Sequence, residues 1–149
     1  MEFLKQYLDI SVFAVLGLMS FLALAYVIER MISYARVKVE RYQQLERLEL
    51  ELNKGLPVIA TIASNAPYVG LLGTVFGIML TFYDIGQSGQ IDTKTVMVGL
   101  ALALKATALG LFVAIPAMIF YNLLVAKAER LVLQWKIAHN VNQPRHTQR

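Results

Sequence analysis

The chain has 149 residues, 57% of them hydrophobic and only 16% charged, with a formal charge of +4 and no cysteine. Soluble domains carry nearer a quarter charged residues, and without cysteine there can be no disulfides, Cys-based metal sites or thiol catalysis. The basic surplus lies mostly outside the apolar stretches, where it sets orientation and does not form a nucleic-acid footprint.

The missing charge is concentrated in three windows. No acidic or basic side chain occurs between Asp9 and Glu29 or between Lys54 and Asp84, and Lys105 stands alone between Lys94 and Lys127. A helix of about 20 apolar residues, rising about 1.5 Å each, crosses a hydrocarbon core of about 30 Å. All three windows are long enough, so an all-α integral membrane protein with three transmembrane helices is expected.

In chain order, the first span runs from about Ile10 to Ile28. It follows Glu2, Lys5 and Asp9, which is not a basic leader, so a retained span is expected. Within the cytoplasmic linker, 30–56, the segment from Arg36 to Lys54 mixes leucines with Glu40, Arg41, Glu46 and Arg47 at helical spacing, which predicts a solvated amphipathic helix. Gly55 and Pro57 end it and open the next element. The second span covers about 58–83 with Pro67 inside, a kink that neighbouring helices or waters can satisfy. A polar outer loop, 84–95, follows. The third span covers about 96–125 and contains Pro116. Its helix is expected to run on as an amphipathic tail through Trp135, within a cytoplasmic tail, 126–149, that is polar and disordered from about Asn140.

Lys and Arg set the orientation. Arg30, Arg36, Lys38, Arg41, Arg47 and Lys54 flank spans 1 and 2 on one side, and Lys127, Arg130, Lys136, Arg145 and Arg149 follow span 3. The opposite side has only Lys5 and Lys94. The N-terminus and the 84–95 loop are therefore expected outside, the linker and C-terminus inside.

Rotating about 100° per residue from Thr74 gathers Ala60, Ala63, Pro67, Gly70, Gly77 and Thr81 on one face of span 2. In span 3, Thr107 shares a face with Ala103, Gly110 and Ala114, bordered by Leu100, Leu111 and Met118. Small residues let membrane helices approach closely, so these faces, with Ala63, Pro67, Gly70, Gly77, Thr81, Ala103, Gly110 and Ala114, are expected to pack against a partner helix. Each threonine could simply bond its own i−4 carbonyl, or the two could line a narrow, partly wet pathway beside a partner helix.

Lys105 lies about ten residues, or about 15 Å, inside span 3, beyond the reach of a snorkelling stem. Burying its ammonium costs from about 3 kcal/mol upward unless it is paired or hydrated. Its counterion could be Asp84 at the boundary, a subunit neighbour or another protein, with pairing favoured over a transport role. Asn65 points away from the Thr74 face and could join helices. His139 and His146 lack metal-ligand spacing. Ser11, Ser20 and Ser64 lack a base in the same window, so no nucleophile is expected, and no phosphate loop occurs.

The stretch SNAPYVGLLGTVFGIMLTF, residues 64–82, resembles the second membrane helix of the ExbB/TolQ proton-channel family. The stretch ALKATALGLFVAIPAMIFYN, residues 103–122, is similar to its third. The resemblance implies a bacterial inner-membrane protein that needs no cofactor and forms a pentamer of identical subunits, with spans 2 and 3 lining a central pore. It also implies an ExbD-type single-span partner bearing an essential aspartate, and a TonB-type protein energised by proton flow for nutrient uptake. Thr74 and Thr107 match the family's pore threonines. Two departures stand out. Leu102 occupies a position where the family often has glutamate, with Lys105 on about the same face one turn on. The linker is also short, as in a compact version of the family's proteins. A TolQ-type envelope role and a non-conducting scaffold are the competing expectations; a flagellar stator subunit is more distant and a membrane enzyme least supported.

Overall fold

The computed structural model describes residues 2–89 and 92–140. Of the polar tail expected to be disordered from about Asn140, residues 141–149, including His146, lie outside the described residues, and Asn140 ends the last helix. Four α-helices account for nearly all of the rest: α1 (Glu2–Arg36), α2 (Leu45–Asn53), α3 (Leu56–Ser88) and α4 (Thr93–Asn140), with one 3₁₀ turn at Val39–Arg41. Three stretches, one each in α1, α3 and α4, are long and apolar enough to cross a membrane.

At about 1.5 Å per residue, the 35 residues of α1 reach about 52 Å and the 48 of α4 about 72 Å. Both exceed a hydrocarbon core of about 30 Å. The surplus of α1 and α4 gathers at one end, where they meet α2. There Val27, Tyr34, Leu48, Leu52, Leu56, Ile59, Leu124 and Ala128 form the largest buried cluster. Two smaller clusters continue along the spans, around Ile62, Ala63 and Ala117 and around Leu16, Ala66 and Ala114. Outward positions such as Phe21, Leu72 and Phe112 are large, apolar and exposed, as a lipid-facing surface requires.

The linker is not one solvated helix. The chain reverses direction between α1 and α3, and it does so through the 3₁₀ turn and the nine-residue α2. Leu48 and Leu52 of α2 are fully buried, so its apolar stripe is spent inside the subunit. Gly55, at φ 78°, caps the start of α3 in a left-handed conformation, and Pro57 sits in that helix's first turn. A Cβ at Gly55 would also lie 2.9 Å from the Tyr26 ring.

The connection between α3 and α4 is shorter than its polar composition predicts. Helix α3 continues to Ser88 and ends on Gly89 at φ 66°, and α4 begins at Thr93. Asp92 makes the early start possible. Its carboxylate accepts from the Lys94 and Thr95 amides and from the Thr95 hydroxyl, capping the first turn.

A hydroxyl couple at the crossing of α3 and α4

The crossing is built from glycine. A Cβ on Gly70 would fall 2.6 Å from the Ala106 carbonyl oxygen and 3.0 Å from the Gly110 Cα. One on Gly110 would fall 2.7 Å from the Ala66 carbonyl oxygen. The two backbones therefore touch where neither residue has a side chain, as small-residue helix pairs do in lipid. Gly77 lies against Ala103, and Gly99 makes room for the Thr81 side chain.

That approach brings Thr74 and Thr107 together. Their hydroxyl oxygens are 2.5 Å apart, and the Thr74 hydroxyl lies 2.9 Å from the Ala103 carbonyl oxygen. Both also lie near the Gly70 carbonyl oxygen, at 3.3 and 3.4 Å. With one proton each, two arrangements satisfy the pair. Thr107 donates to Thr74 while Thr74 donates to Ala103, or Thr74 donates to Thr107 while Thr107 donates to Gly70. The hydroxyls can thus exchange donor and acceptor roles without moving a heavy atom. Thr74 is buried and Thr107 half-buried.

Other residues of the two small faces fall as follows. Ala63, Gly70, Thr81, Ala103, Gly110 and Ala114 are buried within the subunit, while Pro67 and Gly77 are partly open. Thr81 donates to its own i−4 carbonyl, on Gly77. Asn65 is exposed and donates to Thr61. Lys105 is exposed on α4, and among the described residues it makes no ion pair or hydrogen bond. Asp84 is not its counterion here, because Lys5 of α1 pairs with Asp84. Among the described residues no group of three His, Cys, Asp or Glu could hold a metal.

In the sequence Arg30 reads only as a flanking cation. It is 3% exposed, donates to the Glu51 carbonyl at 3.0 Å and pairs with Glu29 at 2.8 Å. Among the described residues its Nε has no partner. Tyr34 donates to the Leu52 carbonyl, and burial pushes its phenol above the ordinary value against the opposing pull of Arg30. Trp135, on α4, donates to the Tyr42 carbonyl at 2.7 Å and stacks on His139. These contacts pin the linker to the ends of α1 and α4. Only an aromatic or arginine amid leucines hinted at them in the sequence.

Three apolar helices, crossed on glycine with a hydroxyl couple enclosed at the crossing, define a multi-pass helical membrane protein with a polar contact inside its spans. Residues 28–137 match the model of the MotA/TolQ/ExbB proton channel family. The chain is 58% identical to the biopolymer transport protein ExbB of Helicobacter pylori strain J99, over 92% of this chain and 94% of that protein. It is 57% identical to the protein of the same name from Aquifex aeolicus, over 93% and 94% respectively. The Tol-Pal system protein TolQ of Pseudomonas aeruginosa is 49% identical over 59% of this chain and 38% of its own length. The chain belongs to the MotA/TolQ/ExbB proton channel family, a family of transport proteins and not of enzymes.

Proposed function

We propose that this chain is the channel subunit of a motor driven by the proton gradient across the bacterial inner membrane. It assembles as a pentamer around an ExbD-type single-span partner whose membrane carboxylate binds and releases protons. Proton passage turns one component against the other, and a TonB-type protein carries the motion to outer-membrane nutrient receptors. The N-terminus faces outward and the basic linker and tail face the cytoplasm, following the distribution of Lys and Arg.

The observation that supports this most is the Thr74–Thr107 couple, two hydroxyls of different spans sharing a proton position inside the bilayer. It offers a foreign carboxylic acid a partner that can donate or accept. The half-open Thr107 is the member such an acid could reach, with Thr74 behind it. Partly open Pro67 leaves space on α3 for a partner helix, while the buried small residues, with Gly77 against Ala103, hold α3 to α4.

The similarity to TolQ supports a second reading, a subunit for envelope maintenance working by the same chemistry. Deleting the gene and scoring iron-complex uptake against detergent sensitivity separates the two. For the mechanism, the complex is purified with its single-span partner, the subunits are counted by native mass, and Thr74→Ala and Thr107→Ala are compared. Loss of proton-coupled work with assembly intact is expected. Full activity of both variants would leave a scaffold whose small faces only pack helices.

A further inference from the structure

Lys105 needs a counter-charge that the assigned contacts do not supply. Asp84 is engaged by Lys5, and Glu29 by Arg30. Among the described residues Asp9, like Lys105, forms no ion pair or hydrogen bond, and both side chains are exposed in the isolated subunit.

The two lie on facing stripes of parallel helices. Ser20 and Leu24 of α1 share a crevice with Phe112 and Pro116 of α4. Eleven residues make three turns and return to within about 20° of the same direction. Stepping outward by eleven from Ser20 reaches Asp9, and the same step from Pro116 reaches Lys105. A second crevice, further out where α3 joins the same two helices, has both Asp9 and Leu102 in its lining. Leu102 is three residues, or about 4.5 Å of rise, outward of Lys105. Helix side chains lean toward the N-terminus, and for α4 that direction is outward. The five bonds from Cα to Nζ, at about 1.5 Å each, extend about 6 Å, enough to lift the ammonium to the level of Asp9.

We propose that in the bilayer Lys105 pairs with Asp9 of its own chain across the open flank of the α1–α4 groove. The pair neutralises the one charge deep in the third span and ties α1 to the outer half of α4, two residues from Thr107. Lys105 is then a positioning residue and takes no proton from the pathway.

The chain has no cysteine, so Asp9→Cys with Lys105→Cys gives a clean background for a short bis-thiosulfonate linker in native membranes. A link within one chain is expected, leaving the monomer band on denaturing gels and adding the mass of one spacer joined to both sulfurs, with both sulfinates lost; two spacers per chain, each bound to one thiol only, would count against the pairing. A dimer band would overturn the proposal in favour of pairing between copies. Two free thiols would overturn it in favour of lipid phosphate or partner acid. In lipid nanodiscs, Asp9→Asn and Lys105→Met should each lower the thermal midpoint by roughly 4 °C. The double variant should fall no further than either single, and the swap Asp9→Lys with Lys105→Asp should recover most of the loss. Additive losses without rescue by the swap would sink the pairing, whatever the fate of the motor assignment.

Discussion

The hydroxyl oxygens of Thr74 and Thr107 stand 2.5 Å apart although 33 positions separate the residues in sequence. The contact exists because Gly70 and Gly110 let the backbones of α3 and α4 touch within the next turn. Packing and polarity are coupled here. The glycines set the distance and the threonines use it.

Replacing either threonine with valine keeps the shape and removes the hydroxyl. Thr74→Val and Thr107→Val should each cost about 0.6 kcal/mol, and at most about 1.7, as hydrogen bonds between membrane helices do. Both variants should still assemble, yet proton uptake into proteoliposomes holding the complex should fall to background. Serine at either position should retain most of the flux. Normal flux through either valine variant would remove the couple from the proton path.

The glycine crossing makes a contrasting prediction. An alanine methyl at position 70 or 110 would meet backbone atoms, which cannot swing aside as a side-chain tip can. Gly70→Ala and Gly110→Ala should therefore cost about 1 to 3 kcal/mol, as overpacking does. At Gly17 and Gly86 nothing lies within 4 Å of the added methyl, so alanine there should be neutral or slightly stabilising in the helix. Thermal midpoints of the four variants in one detergent test the ranking.

The three apolar helices were legible in the sequence because they depend only on composition and length. Phase tells which residues share a side of one helix. It does not tell which sides of two helices meet, so Thr74 and Thr107 could be assigned to faces but not joined. The linker was misjudged for a related reason. Its charges at helical spacing suit a solvated helix, yet Leu48 and Leu52 are drawn inside by Tyr34 and Leu124, residues distant in sequence. Arg30 looked like any flanking cation, because nothing local reveals that the Glu51 carbonyl will arrive beside it. Asp84 seemed available to Lys105 only until α1 delivered Lys5.

Arg30 should anchor the linker. Truncating it removes a charge-assisted bond to the part-buried Glu51 carbonyl, at a cost of about 1.5 to 3 kcal/mol. Arg30→Met should let trypsin cut at Arg41 and Arg47 several-fold faster while the membrane helices stay protected. Lysine should rescue poorly, since a single ammonium cannot span both Glu29 and Glu51 as the planar guanidinium fork does. Unchanged cleavage in Arg30→Met would mean that Leu48 and Leu52 hold α2 alone.

Asp92 governs the first turn of α4 in a pH-dependent way. The Thr95 hydroxyl, with the Lys94 and Thr95 amides, holds its carboxylate below the ordinary value of 3.8. The folded turn therefore binds its proton more weakly than the unfolded chain does. Its contribution is complete above the unfolded pKa and disappears as pH falls through the lower folded value. Acidification below about pH 4 should fray residues 93–96, seen as loss of the downfield shift of the Thr95 amide proton. Asn caps a helix nearly as well as Asp but does not titrate. Asp92→Asn should thus keep the turn at neutral pH and erase the acid transition, whereas Asp92→Ala should fray it at every pH. An acid transition that survived in Asp92→Asn would assign the effect to another group at that end of the bundle.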